Sequence, residues 1–152
     1  MLCLRNMEKD IEAILDLELV AKQLARELAN QSSDKAMVLA LYGELGAGKT
    51  TFMQTLAKEL GVVDTVNSPT FVVMKSYDLK DQPWQKLIHI DAYRIEDEDE
   101  MDVIKLPEIM QDPGNLIGIE WADKVSKYLP EDVVNLHFNL DNRSRTLSIN
   151  GL

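Results

Sequence analysis

A chain of 152 residues with 45% apolar content is the size of one domain and can build one real core, with no length left for a separate substrate domain. Its formal charge of −10 argues against an independent nucleic-acid binder, which needs a basic patch to displace counterions from phosphates, and leaves open docking onto a basic protein surface. The single cysteine, Cys3, excludes an internal disulfide framework and suits a reducing cytosol, so a cytoplasmic location is expected.

From Glu8 to Asn30 the apolar positions Ile11, Ile14, Leu15, Val20, Leu24, Ala25 and Leu28 approximate one helical face, clearest over 16–29. The opening MLCLRNMEKDIE turns acidic too soon for a secretory leader, and no run of about 18 apolar residues exists to span a membrane. After a polar connector, Met37-Val38-Leu39-Ala40-Leu41-Tyr42 has the continuous apolar pattern of a buried parallel strand. A loop over 43–48 leads into a helix predicted over 49–60 and stopped by Gly61. Strands are predicted over 71–77 and 87–91, joined by a turn around Lys80-Asp81-Gln82-Pro83. Short helices are expected around Pro107, then a buried strand over 116–119. Val134, Leu136, Phe138 and Leu140 alternate, and a turn at 141–144 returns the chain along 146–149 as a terminal hairpin. The acidic run Glu96–Glu100 reads as a solvated face or a helix start.

Within this order, Gly43-Glu44-Leu45-Gly46-Ala47-Gly48-Lys49-Thr50 matches the Walker A pattern in full, with a strand before it and a helix after it. Glycines let the backbone curl so that successive N–H groups face phosphate oxygens, and the helix presents its N-terminus to the anion. Lys49 is expected to reach the β- and γ-phosphates and Thr50 to ligate Mg²⁺. The expected nucleotide contacts are Glu44, Leu45, Gly46, Ala47, Gly48, Lys49, Thr50 and Thr51, with Mg²⁺ beside the phosphates. Such a loop needs an acidic partner at the end of a neighbouring strand. Asp91 and Glu120 each follow an apolar run; either can serve the metal while the other orients water. Ser68 and Thr70, flanking Pro69, lie where nucleotide-hydrolysing proteins keep a loop that senses the γ-phosphate. Arg143 or Arg145 in the hairpin can flank the nucleotide, His89 and His137 read as packed strand residues, and Trp121 is equally a core residue or a cover for the loop. The fold class expected is α/β, a P-loop NTPase in one domain over 1–152, with a mainly parallel central sheet flanked by helices and antiparallel C-terminal hairpin strands.

Four motifs occur in order: GELGAGKTT at 43–51, SPTF at 68–71, HIDAYR at 89–94 and Glu120-Trp121. Together they resemble the TsaE family, ATPases of bacterial tRNA threonylcarbamoyladenosine biosynthesis, over roughly residues 16 to 149. The resemblance implies weak Mg²⁺-dependent ATPase activity that serves a TsaB–TsaD pair, with tRNA met only through that complex. It makes Lys49 the phosphate clamp, Thr50, Asp91 and Glu120 the metal and γ-phosphate residues, Ser68 and Thr70 part of a switch-like loop, and Arg143 or Arg145 a nucleotide contact. Glu44 stands where the family often has Asp. Leu17 stands near a Thr that helps seat the base, so no base contact is carried over.

The alternative is a small P-loop kinase acting on a metabolite. It generally needs an arginine-rich lid, and the chain has five scattered arginines. A GTPase lacks its Asn-Lys-x-Asp reader here, and a non-catalytic module would have lost the lysine or the acids, all of which are present.

Overall fold

The computed structural model describes residues 4–64, 66, 73–142 and 144–152. In chain order these form β1 (Met7–Asp10), α1 (Ile14–Ala29), β2 (Met37–Tyr42), α2 (Lys49–Glu59), β3 (Met74–Asp78) and β4 (Lys86–Asp91). There follow α3 (Glu100–Val103), α4 (Leu106–Gln111), β5 (Asn115–Glu120), a kinked 3₁₀ segment (Ala122–Tyr128), β6 (Val134–Asp141) and β7 (Ser144–Asn150).

The strands lie in one sheet in the order β1-β7-β6-β2-β5-β4-β3. Its centre, β6-β2-β5-β4, is parallel, whereas β3, β7 and β1 join antiparallel. The parallel centre and the antiparallel C-terminal hairpin are as expected, and the sheet is mixed because β3 and β1 also join antiparallel. Its two hairpins, β3–β4 and β6–β7, extend the parallel centre on either side, and β1 then closes onto β7.

That last strand departs from the helical reading of residues 8–13. Residues Met7 to Asp10 pair with Ile149 to Thr146 instead. Four residues are too few for a periodicity to discriminate, and the open edge of β7 supplies backbone partners that a solvated helical turn lacks. Helix α1 begins only at Ile14, where the Asp16 carboxylate accepts the backbone N–H groups of Glu12 and Ala13, both at 2.9 Å.

Side-chain alternation divides the core between the two faces of the sheet. Leu39, Leu41, Leu87, Leu116 and Leu136 pack with α1 and α2, while Val38, Ala40, Ile88, Ile90, Ile117 and Ile119 pack with Met101, Leu106, Met110 and Val125 on the other side. The same parity turns His89, Asp91 and Glu120 toward α2, and register makes Asp91 and Glu120 direct neighbours. At Gly118 the end of the Met53 side chain fills the place a Cβ would take, with Sδ 2.5 Å from it, as α2 lies down on the sheet. No helix among the described residues is long and apolar enough to cross a membrane.

Candidate active site

Strand β2 ends at Tyr42, and the chain turns through Gly43 (φ 148°), Gly46 (φ 80°) and Gly48 (φ 116°) before α2 begins at Lys49. At Gly43 a Cβ would lie 2.5 Å from the carbonyl oxygen of Phe138, so both conformation and space exclude a side chain. The loop borders a cleft of about 380 Å³ at the carboxyl edge of β2, β4 and β5. Leu45, Gly46, Gly48, Lys49, Thr50 and Thr51 line it from the loop side; Asp91, Tyr93, Glu120, Trp121 and Arg145 line it from the sheet. Most of the residues expected from the sequence thus meet in one space. Glu44 lies on the same loop, and Ala47 lines a neighbouring cleft. Ser68, Thr70 and Arg143 lie outside the described residues.

Buried charge organises the cleft. Lys49 is 4% exposed, and its Nζ donates to the carbonyl oxygens of Gly43 at 2.5 Å and Glu44 at 2.9 Å. It also stands 4.1 Å from the centre of the Trp121 ring, so that residue both packs against the core and covers the loop. Burial lowers the Lys49 ammonium below the usual lysine range, opposed by the negative charges of Glu120, Asp91 and Asp123. Glu120 is 2% exposed and held at both oxygens: Thr50 Oγ1 donates to Oε1 at 2.6 Å, and His89 Nε2 meets Oε2 at 2.6 Å. Asp91 accepts the backbone N–H of Tyr93 at 3.0 Å, a short turn that starts the excursion from β4. Tyr93 in turn stacks obliquely on Trp121, ring centres 5.1 Å apart.

A second cleft, about 250 Å³, shares Gly48, Thr51 and Arg145 with the first. Ile11, Ile14, Leu17, Ala47 and Phe138 give it apolar walls.

The family model described as threonylcarbamoyl adenosine biosynthesis protein TsaE matches residues 15–147. The chain belongs to the TsaE family. Among its curated relatives, the tRNA threonylcarbamoyladenosine biosynthesis protein TsaE of Bacillus subtilis is 43% identical over 95 residues, covering 62% of this chain and 56% of its own length. The protein of the same name from Borreliella burgdorferi is 32% identical over 115 residues, 75% of this chain and 81% of its own. That from Streptomyces coelicolor is 38% identical over 120 residues, 78% of each chain. The crystal structure of Bacillus subtilis YdiB superposes with a TM-score of 0.72 at 25% identity, covering 98% of this chain and 87% of that one.

Some site features of this TsaE-family chain were not legible as such. Arg143, the hairpin arginine expected at the nucleotide, lies outside the described residues, and Arg145, its alternative, lines the cleft. Leu17, set aside as a base contact, lines the second cleft with Phe138. The contact between His89 and Glu120 spans 31 positions, and its one sequence signal is a lone polar residue inside the apolar strand Lys86–Asp91.

Proposed function

We propose that this chain has a P-loop NTPase fold, binds ATP with Mg²⁺ in the loop cleft and hydrolyses it slowly, serving tRNA N6-threonylcarbamoyladenosine formation through a TsaB–TsaD complex in the cytoplasm. One observation carries the proposal: Lys49, Thr50, Asp91 and Glu120 converge on one cleft at a glycine loop that opens a helix.

The residues fit the ligands chemically. A buried ammonium and a helix N-terminus suit polyphosphate, and a hydroxyl with two carboxylates offers the hard oxygen donors that Mg²⁺ takes. Among the described residues no cluster of three His, Cys, Asp or Glu side chains forms a metal cage, so Thr50 with Glu120 or Asp91 would share the ion with phosphate oxygens. Bound there, Mg²⁺ would neutralise charge that develops on the phosphates.

The protein's own part is positioning. Lys49 would exchange the carbonyl oxygens of Gly43 and Glu44 for phosphate oxygens while the Trp121 face keeps it dry. Of Asp91 and Glu120, one would hold the ion and the other orient the attacking water. The apolar second cleft suits the adenine ring, with Arg145 between base and phosphates. At a formal charge of −10 the chain would meet tRNA through its partners rather than directly.

ATP hydrolysis measured alone and with TsaB–TsaD tests this reading. Turnover is expected to be slow alone and to rise with the pair, and Lys49→Ala and Asp91→Ala are expected to abolish activation by at least about 100-fold while leaving the fold intact. Turnover that rises instead with a small metabolite, yielding a phosphorylated product, makes the protein a kinase. Full complementation by both variants in cells lacking the family protein overturns the mechanism.

A further inference from the structure

His89 lies two residues before Asp91 on β4, facing the same side of the sheet. It is fully buried and does not line the cleft, so among the described residues it reaches the chemistry through Glu120. The contact is close: Nε2 to Oε2 is 2.6 Å, while Oε1 of the same carboxylate accepts the Thr50 hydroxyl at 2.6 Å.

A carboxylate accepts and does not donate, so the shared hydrogen belongs to Nε2. The other ring nitrogen agrees. Nδ1 is buried with no hydrogen-bond partner among the described residues, and a hydrogen there would be a stranded donor. Both ends of the ring therefore select the same tautomer. Packing alone does not ask for histidine here. The opposite residue on β5 is Gly118, whose space Met53 fills, and the neighbouring inward position, Leu87, is aliphatic. A polar ring in such a place is costly unless its hydrogen bond has a use.

We propose that His89 is a positioning residue: its Nε2–H anchors one oxygen of Glu120 so that the other stays turned to Thr50, making Glu120 the one of the two carboxylates preset for the Mg²⁺ of the proposed function, on which this inference rests. Groups standing behind a metal ligand in this way typically alter metal affinity or activity by about 10–100-fold.

The test uses the full chain with three substitutions. His89→Gln carries an N–H near the Nε2 position, His89→Asn carries one too short to reach, and His89→Leu carries none. ATP affinity is measured in EDTA and then as Mg²⁺ is titrated, beside kcat, KM and thermal melts. His89→Leu is expected to bind metal-free ATP like the wild type, to need at least about tenfold more Mg²⁺ for half-maximal effect, and to lose kcat with little change in KM. His89→Gln is expected to stay within about threefold of wild type, while His89→Asn follows His89→Leu. A wild-type Mg²⁺ response in His89→Leu overturns the proposal, as does equal impairment of the Gln and Leu variants when both melt like the wild type. Should His89→Leu fail to fold, the Gln and Asn variants decide, and equal behaviour of those two counts against the proposal. Imidazole ¹⁵N spectra of the ligand-free protein add a readout independent of nucleotide: hydrogen on Nε2 is expected, and hydrogen on Nδ1 refutes the grip on Glu120. A wild-type protein that binds no Mg²⁺–ATP refutes the proposed function instead, leaving the spectra to judge the contact.

Discussion

Gly43 and Gly46 look alike in the sequence and differ in what surrounds them. Both have positive φ, but a Cβ on Gly43 would meet the Phe138 carbonyl at 2.5 Å, whereas one on Gly46 would find nothing within 4 Å. Gly46→Ala is expected to cost about 1–2 kcal/mol, the conformational penalty alone, and Gly43→Ala about 1–3 kcal/mol more because a carbonyl cannot give way. Urea denaturation of the two variants checks the order. Lys49 separates stability from activity. Its ammonium is lowered by burial, so while protonated it opposes folding. That cost is full below its folded-state pKa and fades as pH rises toward the ordinary lysine value. Lys49→Met should melt at or above the wild-type temperature near neutral pH, with the gap narrowing as pH rises, while nucleotide binding is lost. A melt well below wild type would mean that the contacts to Gly43, Glu44 and Trp121 outweigh the desolvation.

At the scale of elements, α1 and the acidic excursion are held by local charge. Asp16 is lowered below the usual carboxylate range by hydrogen bonds from the Ala13 and Glu12 backbones. Its contribution is therefore present above the ordinary carboxylate pKa and lost as pH falls through the lowered one. Asp16→Ala should lower the melting temperature at neutral pH, and the difference from wild type should shrink in acid, as read by circular dichroism. The acidic run, expected to be a solvated face or a helix start, is both, since α3 begins at Glu100, and it is tied down: Lys127 Nζ pairs with Asp99, the Lys127 backbone N–H donates to Glu98 at 3.1 Å, and Tyr128 donates to Asp102 at 2.8 Å. Lys127→Ala should speed amide exchange at Glu100, Met101 and Asp102 by roughly two- to fivefold, and added salt should do the same to the wild type. This tie was not legible because its partners are 26 to 29 positions apart and lie beyond an intervening buried strand.

For the whole molecule, the cleft belongs to the sheet rather than to any one element. Nucleotide binding should therefore stabilise the entire fold. At a ligand concentration about 100 times Kd the gain is about 2.7 kcal/mol, which for a chain of this size raises Tm by about 5–10 °C. Mg²⁺–ATP should produce that shift in a thermal melt of the wild type and not of Lys49→Ala. Local pattern alone determined much of this protein: the apolar run Met37–Tyr42, the glycines with Lys49 and Thr50 after it, and the strand-end carboxylates Asp91 and Glu120. These are properties of residue period and backbone freedom, which act within a few positions. Tertiary structure alone decided that β1 is a strand on β7, that Asp91 and Glu120 are direct neighbours, that Trp121 covers Lys49, and that Glu120 is gripped by Thr50 and His89 from 70 and 31 positions away. Each of these depends on strand order and register, which are set when distant segments compete for the same sheet edges and the same buried faces.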